Sequence, residues 1–312
     1  MLKSYNINDD IEKKSHAVAL GFFDGVHAGH IEVIKAALDS CKRDNSLSPA
    51  VFTFSTKSMR PLSKSGSGYI MTLDKKRIEF EKLGIKTLVM PDFSDIKDIS
   101  PEMFVKNILV DKLCAKVLCC GFDFRFGKDA ADDVDDLIRI AGEYNISVIK
   151  VESVMYRGEA ISSTRIRDCL KKGQIELANE MLTRPFSYDF PVETGAKMGR
   201  TIGYRTINQQ FEPGFVVAKH GVYASVALID DVEYPAITNI GVRPTVGGKT
   251  PVSETHIFGE FPEMYGQRVE IKILSFIREE RKFENLKALK QQIDIDCIKA
   301  RKICEEYLRK YR

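Results

Sequence analysis

The feature that most constrains this chain is an alternation in its first 185 residues, where short, mostly apolar runs are separated by longer amphipathic stretches. Residues 17–20, 50–54, 87–90, 117–120 and 147–151 each read as a buried strand. Helical patterns cover 31–40, 73–83, 101–112 and 134–144. The third opens Ser100-Pro101-Glu102, a cap residue followed by proline at the first helical position. Leu83-Gly84 supplies a helix stop directly before the next strand. Strands alternating with helices of this length predict βαβ units and a parallel, doubly wound sheet, whose ligands sit beyond the carboxyl ends of the strands. Residues 161–182 read as two short helices interrupted at Gly173. After Pro185 the texture changes to Gly, Pro and Thr with short alternating segments at 190–194, 222–229, 232–238, 254–258 and 268–276. That pattern predicts a small antiparallel β-barrel or sandwich. A helix closes the chain from about 285 to 311. The predicted division is therefore 1–185 and 186–312.

The first strand runs into Gly21-Phe-Phe-Asp-Gly-Val-His-Ala-Gly-His30, a Gly-rich turn at the start of a helix. Residues three apart share a helix face, so His27 and His30 should point the same way, beside the unpaired N–H groups of the helix start. Such N–H groups and the positive helix end favour phosphate. Imidazoles can supply a proton or positive charge to a leaving oxyanion near neutral pH. The simplest chemistry is attack on a nucleotide phosphate with departure of pyrophosphate. His-x-x-His is also half of a metal site, but no Cys-x-x-Cys or nearby carboxylate pair offers the remaining ligands.

Two further stretches fall at predicted strand ends or helix starts. Gly121-Phe-Asp-Phe-Arg-Phe-Gly127 has glycines bracketing Asp123 and Arg125, which suggests a backbone shaped around a ligand, although its phenylalanines also suit a core. Ile161-Ser-Ser-Thr-Arg-Ile-Arg167 opens a helix, and its hydroxyls are first of all a cap. With Arg165 and Arg167 beside them they also form a donor cluster suited to phosphate oxygens. Arg157, just upstream, reads as solvated surface. The Ser-, Gly- and Lys-rich stretch 57–70 reads as a loop over the sheet.

Hydrophobic content of 44% with 29% charged residues is the profile of a globular protein. The net charge of +3 is too small to argue for nucleic acid, and no recognition-helix pattern appears. No apolar stretch approaches the ~20 residues that span a bilayer. Seven cysteines form no spaced framework. With a polar N-terminus, these point to reduced thiols and a cytoplasmic location, without a membrane partner.

The three motifs, in that order and spacing, resemble the adenylyltransferase half of the prokaryotic bifunctional riboflavin kinase/FAD synthetases. The resemblance implies that His27 and His30 contact the ATP phosphates and stabilise the departing pyrophosphate, within a phosphate site that includes Gly21, Phe23, Asp24 and Gly29. It implies that Ser163, Thr164, Arg165 and Arg167 grip those phosphates too, that Asp123 and Arg125 belong to the flavin and nucleotide pocket, and that FMN attacks through its own phosphate. In the second half, Gly199-Arg-Thr-Ile-Gly-Tyr-Arg-Thr-Ile-Asn208 resembles the flavokinase signature, followed by Lys219-His-Gly-Val-Tyr-Ala224, Asn239-Ile-Gly-Val-Arg-Pro-Thr245 and Ser253-Glu-Thr-His-Ile257. Gly199 and Gly203 would serve the kinase nucleotide site. Thr206 and Asn208, two apart on a probable strand, face one side and offer hard oxygens to Mg²⁺ carried by ATP. Glu254 is placed to accept the proton of the riboflavin 5′-hydroxyl.

One departure stands out: the family pattern Pro-Thr-Ala-Asn reads Arg205-Thr-Ile-Asn here. Arginine frees a dihedral that proline would fix and adds a long cation next to the nucleotide, and Ile207 adds bulk on the opposite strand face. Gly259 stands where the family often has Asp. The expected activity is conversion of riboflavin to FMN and of FMN to FAD, each with ATP and Mg²⁺, with small-molecule substrates as partners and neither nucleic acid nor membrane; the sequence does not give the oligomeric state. Two alternatives are a transferase with an impaired kinase half and a non-catalytic flavin-binding regulator.

Overall fold

The computed structural model describes residues 1–55, 68–194, 203–245, 248–259 and 261–311. The chain divides into two compact units, Met1–Ser163 and Thr164–Arg312.

In the first unit, six strands form one wholly parallel sheet: β1 (Lys3–Tyr5), β2 (His16–Leu20), β3 (Ser48–Phe52), β4 (Thr87–Val89), β5 (Ala115–Gly121) and β6 (Ser147–Val151). Their order is β1-β4-β3-β2-β5-β6. The chain winds outward in one direction from β2 and in the other from β5, so the switch point lies between these two neighbours. Period-two alternation sends Val18, Leu20, Ala50 and Phe52 into one core layer and Ala17, Ala19 and Val51 into the other. Burial on both faces is why these runs are apolar throughout. Helices α1 (Ala28–Arg43), α2 (Leu73–Lys82) and α3 (Val134–Gly142) supply the covering residues.

Three features of this unit differ from the expected pattern. Strand β1 pairs with β4 at the sheet edge, Lys3 opposite Thr87, but three residues of mixed polarity carry no periodic signal. Helix α1 starts at Ala28, three residues earlier than expected, with His27 as its N-cap. The predicted helix at 101–112 is α-helical only over Pro101–Met103 and continues as a π-helix over Phe104–Val110. There Asp111 N–H donates to Lys106 O and Leu113 N–H to Ile108 O, both at 3.0 Å. Apolar spacing alone does not separate that winding from an α-helix. The stretch 57–70 falls largely outside the described residues.

The second unit begins with α4 (Ser163–Lys172, whose first residue closes the first unit) and α5 (Ile175–Leu182). A seven-stranded antiparallel sheet follows, comprising β7 (Phe186–Tyr188), β8 (Val192–Glu193), β9 (Ile207–Gln210), β10 (Gly221–Ile229), β11 (Val232–Thr245), β12 (Gly248–Ile257) and β13 (Glu270–Arg278). Its order is β8-β9-β12-β11-β10-β13-β7. The sheet curls, and Val192 N–H to Gln267 O and Gly266 N–H to Val192 O, each 2.9 Å, draw its edge strand back towards the approach to β13. Tyr188, Phe190, Phe211 and Phe215 pack its interior. Helix α6 (Leu286–Tyr311) sets Cys297, Ala300 and Cys304 against Val222, Ala224 and Val226 on the outer face. Strands β11 and β12 both outrun their predicted spans, because their distal hairpin is too polar for alternation to show.

Candidate functional sites

The first candidate site is the turn between β2 and α1. Phe23, Gly25 and Val26 all have positive φ, +51°, +80° and +41°. For the two buried non-glycine residues that conformation costs about 1–3 kcal/mol each and persists only where surroundings impose it. Those surroundings are specific. Asp24, buried, accepts Ile70 N–H on its Oδ1 at 2.9 Å. The carbonyl of Asp24 accepts the Ser163 hydroxyl at 2.9 Å. The carbonyl of Phe22 accepts both Thr53 Oγ1–H at 2.9 Å and Lys76 Nζ at 3.0 Å. Gly21 packs against the Phe23 ring, where a Cβ would approach to 3.0 Å.

This turn delivers the two histidines together. Their rings stack with centroids 3.5 Å apart and 17° between planes, and His27 Nδ1 accepts His30 N–H at 3.4 Å. His27 is thus the cap rather than a first-turn residue, and the shared face expected from the spacing is present. The Phe23 ring meets His30 edge-on at 5.3 Å. Gly29 lies where a Cβ would touch the His27 ring at 3.3 Å and come within 3.9 Å of Ile161 O. Within the first unit, then, the His-bearing turn and the segment leading to Ser163 adjoin. Thr164 is exposed, Arg165 half-buried and Arg167 buried along α4.

Beyond the strand ends lies a cavity of about 490 Å³ lined by Gly21, Phe52, Phe54, Phe93, Phe124 and Arg125, among others. Aromatic faces around a concave site suit a flat conjugated ligand. Arg125 lines it and contacts Ala131 O and Asp133 at its rim. Asp123 is exposed, does not line the cavity, and turns back over Gly121. The Phe-rich motif is split: Phe124 and Phe126 both line the cavity, Phe126 also belonging to the core, and Phe122 is exposed.

Lysine 76 escaped the sequence reading. It is fully buried, with its ammonium 5.1 Å from the centroid of the Phe22 ring. Burial pushes its pKa down to about 8, with Asp24 acting in the opposite direction. The signal was present, since Lys76 shares a helix face with Phe80 and Leu83, four and seven residues on, on the apolar side.

The second candidate site is a ladder on the outer face of the curled sheet. Asn208 pairs in register with Glu254, and Glu254 with Asn239. Their neighbours Ile207, Gln209, Ser253 and Thr255 are buried on the inner face. Thr206 immediately precedes β9, two residues from Asn208. Asn239 Nδ2 donates to Glu280 at 3.0 Å, and Glu280 lies over Gly241. Asn239 was not singled out beforehand; its register with Glu254 is the signal, and register is not legible in one sequence. Gly203 occupies a turn at φ +89°, and Gly199 lies outside the described residues.

Arg205 does not extend free beside this ladder. Its guanidinium lies 4.8 Å from the Phe261 ring centroid and 3.8 Å from Glu263. Its carbonyl accepts His256 Nδ1–H at 2.8 Å, the tautomer assigned from that contact. Burial holds His256 below the ordinary histidine value, outweighing that hydrogen bond, and Arg301 adds to the lowering. Ile207 sits inside the sheet, 5% exposed, away from the ladder.

A doubly wound parallel sheet followed by a curled antiparallel sheet, each with a candidate polar site, fits the class of two-activity transferases. The comparisons agree in both halves. The family model for FAD synthetase matches residues 9–165, and that for riboflavin kinase matches 182–304. The chain belongs to the family of bifunctional riboflavin kinase/FMN adenylyltransferases. Proteins of that description from Bacillus subtilis (strain 168) and Buchnera aphidicola subsp. Schizaphis graminum (strain Sg) are 34% and 33% identical, over 91% of this chain and 91% and 93% of theirs. A solved structure from Streptococcus pneumoniae, titled a macrolide-efflux protein, superposes with a TM-score of 0.85 at 28% identity, over 96% of this chain and 98% of its own. Among the described residues of this chain, no helix is long and apolar enough to cross a membrane. With both domains present, neither the transferase-only reading nor the regulator reading is favoured.

Proposed function

We propose that the first unit joins FMN to ATP through the β2–α1 turn, and that the ladder in the second unit phosphorylates riboflavin. The stacked His27 and His30 at the N-terminus of α1, beside an aromatic cavity at the sheet's switch point, is the observation that carries the first part. In adenylyl transfer an oxygen of the FMN phosphate attacks the α-phosphorus of ATP. The bond to the bridging oxygen breaks and pyrophosphate leaves with the electron pair. No protein nucleophile is required, so the chain's contribution is positioning and charge. His30 and His27 would stabilise the departing pyrophosphate, together with the N–H groups of the α1 start around Gly29. Gly21, Phe23 and Asp24 hold the turn. Ser163, Thr164, Arg165 and Arg167 are proposed as further phosphate donors, and Arg125, with Asp123, as contacts for the flavin nucleotide.

In the second unit the 5′-hydroxyl oxygen of riboflavin attacks the γ-phosphorus of ATP, its proton passes to Glu254, and ADP departs. A Mg²⁺ ion carried by ATP fits here, since Thr206 and Asn208 offer neutral hard oxygens beside the Glu254 carboxylate, and when bound it would offset charge on the transferring phosphoryl group. Gly199 and Gly203 are proposed to serve the kinase nucleotide site. Purified protein given riboflavin, ATP and Mg²⁺ should yield FMN and then FAD on chromatography. Supplied FMN that gives no FAD rejects the transferase assignment, and riboflavin that gives no FMN rejects the kinase assignment.

A further inference from the structure

We propose that Lys76 is a positioning residue for adenylyl transfer, acting on His30 through the β2–α1 turn. The proposal rests on the transferase reading and extends it to a residue outside the ligand-facing motifs.

The physical case begins with an anomaly. A lysine removed from water loses its hydration, and a fully buried one persists where the fold gives its ammonium specific work. On α2 the side chains of Lys76 and Phe80, one turn apart, grip the same short turn at two places. Lys76 Nζ donates to the carbonyl of Phe22 at 3.0 Å. Phe80 meets the Phe23 ring edge-on at 5.7 Å, and Phe23 in turn meets His30 edge-on at 5.3 Å. Phe23 is the first of the positive-φ residues, so the Phe22 carbonyl is the last backbone group before the strained conformation begins. Thr53 Oγ1 donates to that same carbonyl. One donor already satisfies the group; the second, charged donor fixes its direction and with it the peptide plane leading into Phe23. The ammonium also lies over the Phe22 ring, whose other neighbour is Phe54 at 5.9 Å, a wall of the aromatic cavity. A single buried cation thus abuts both the turn that carries the imidazoles and the ring that backs the cavity.

A side chain that acts through His30 should lose its influence once the imidazole is gone, which a double-mutant cycle measures. Lys76→Met keeps the volume and removes charge and donor. It should lower kcat for FAD formation from FMN at least tenfold, with KM for ATP and FMN within threefold of the parent, as expected for an interaction realised in the transition state. In a His30→Ala background the same change should cost less than threefold. Riboflavin phosphorylation, carried by the second unit, should be unchanged, and circular dichroism with a denaturant unfolding curve of the whole protein reports that the first unit is folded. If Lys76→Met does not fold, Lys76→Gln, which retains a donor, is read by the same cycle. A full tenfold loss in the His30→Ala background, a loss confined to KM, or no loss at all overturns the proposal. A parent protein that makes no FAD instead overturns the transferase reading on which it rests.

Discussion

In the first unit the candidate site is made largely of backbone: three consecutive-to-near residues at positive φ, a helix start, and two rings stacked across its cap. In the second it is made of side chains standing on neighbouring strands, Asn208, Glu254 and Asn239 side by side in register. The first must be held in shape from behind, by Thr53, Lys76, Asp24 and Phe80, because its conformation is unfavourable by itself. The second inherits its shape from ladder hydrogen bonds that any antiparallel sheet makes. Changes distant from the ligand should therefore injure the first site readily, whereas the second should answer chiefly to its own outward residues.

The largest expected effect belongs to the ladder. Glu254→Gln preserves shape and removes the proposed base, and should reduce riboflavin phosphorylation by a factor on the order of 10²–10⁴. FAD formation from supplied FMN should be unaffected in the same sample; a parallel loss would break the separation of the two sites. Next comes His30→Ala, with a loss of adenylyl transfer on the order of 10², typical for one oxyanion partner, while phosphorylation persists.

A third effect sharpens the contrast in how the sites are supported. Lys76 has a folded pKa of about 8 against 10.5 in an open chain. Between those values the unfolded chain holds a proton that the folded one has released. Stability should therefore rise with pH through that window, by up to about 1.4 kcal/mol per unit, and the gain should vanish as pH falls through 8. The measurement is the difference between parent and Lys76→Met in denaturant midpoints from pH 7.5 to 10.5. A flat difference would mean that the ammonium is not held in a dry site.

Much of this was legible in the chain. Strand β6 falls on the residues expected, and α2 and α6 nearly so, because apolar runs and helical spacing report burial directly. The His27–His30 pairing followed from spacing alone. Three kinds of feature were hidden, each for a physical reason. Strand β1 is too short for a period. The role of Phe54 and Phe93 as cavity walls depends on how separate loops meet above the sheet. Asn239 joins Glu254 only through register, which is set across two hairpins. Lys76 lay between these cases, visible as a charge on an apolar face yet without anything nearby in sequence to say what it served.

The smallest expected effect tests the one departure from the family pattern. Read in sequence, Arg205 placed a cation where proline is usual and suggested a weakened kinase. In the structure the guanidinium is occupied by the Phe261 ring and Glu263, and what reaches the strand carrying Asn208 is the Arg205 backbone, held by His256. Arg205→Ala should thus remove a partly exposed cation–π contact and a weak ion pair while leaving the carbonyl and its imidazole in place, a loss of about 1 kcal/mol or less. Riboflavin phosphorylation should stay within a few-fold of the parent. Arg205→Pro combined with Ile207→Ala should not raise it, because Ile207 fills the sheet interior and its truncation leaves a cavity costing about 2–5 kcal/mol. A rise in turnover from that double change would restore the view that this motif holds the kinase back, and would make the second site, like the first, one governed from behind.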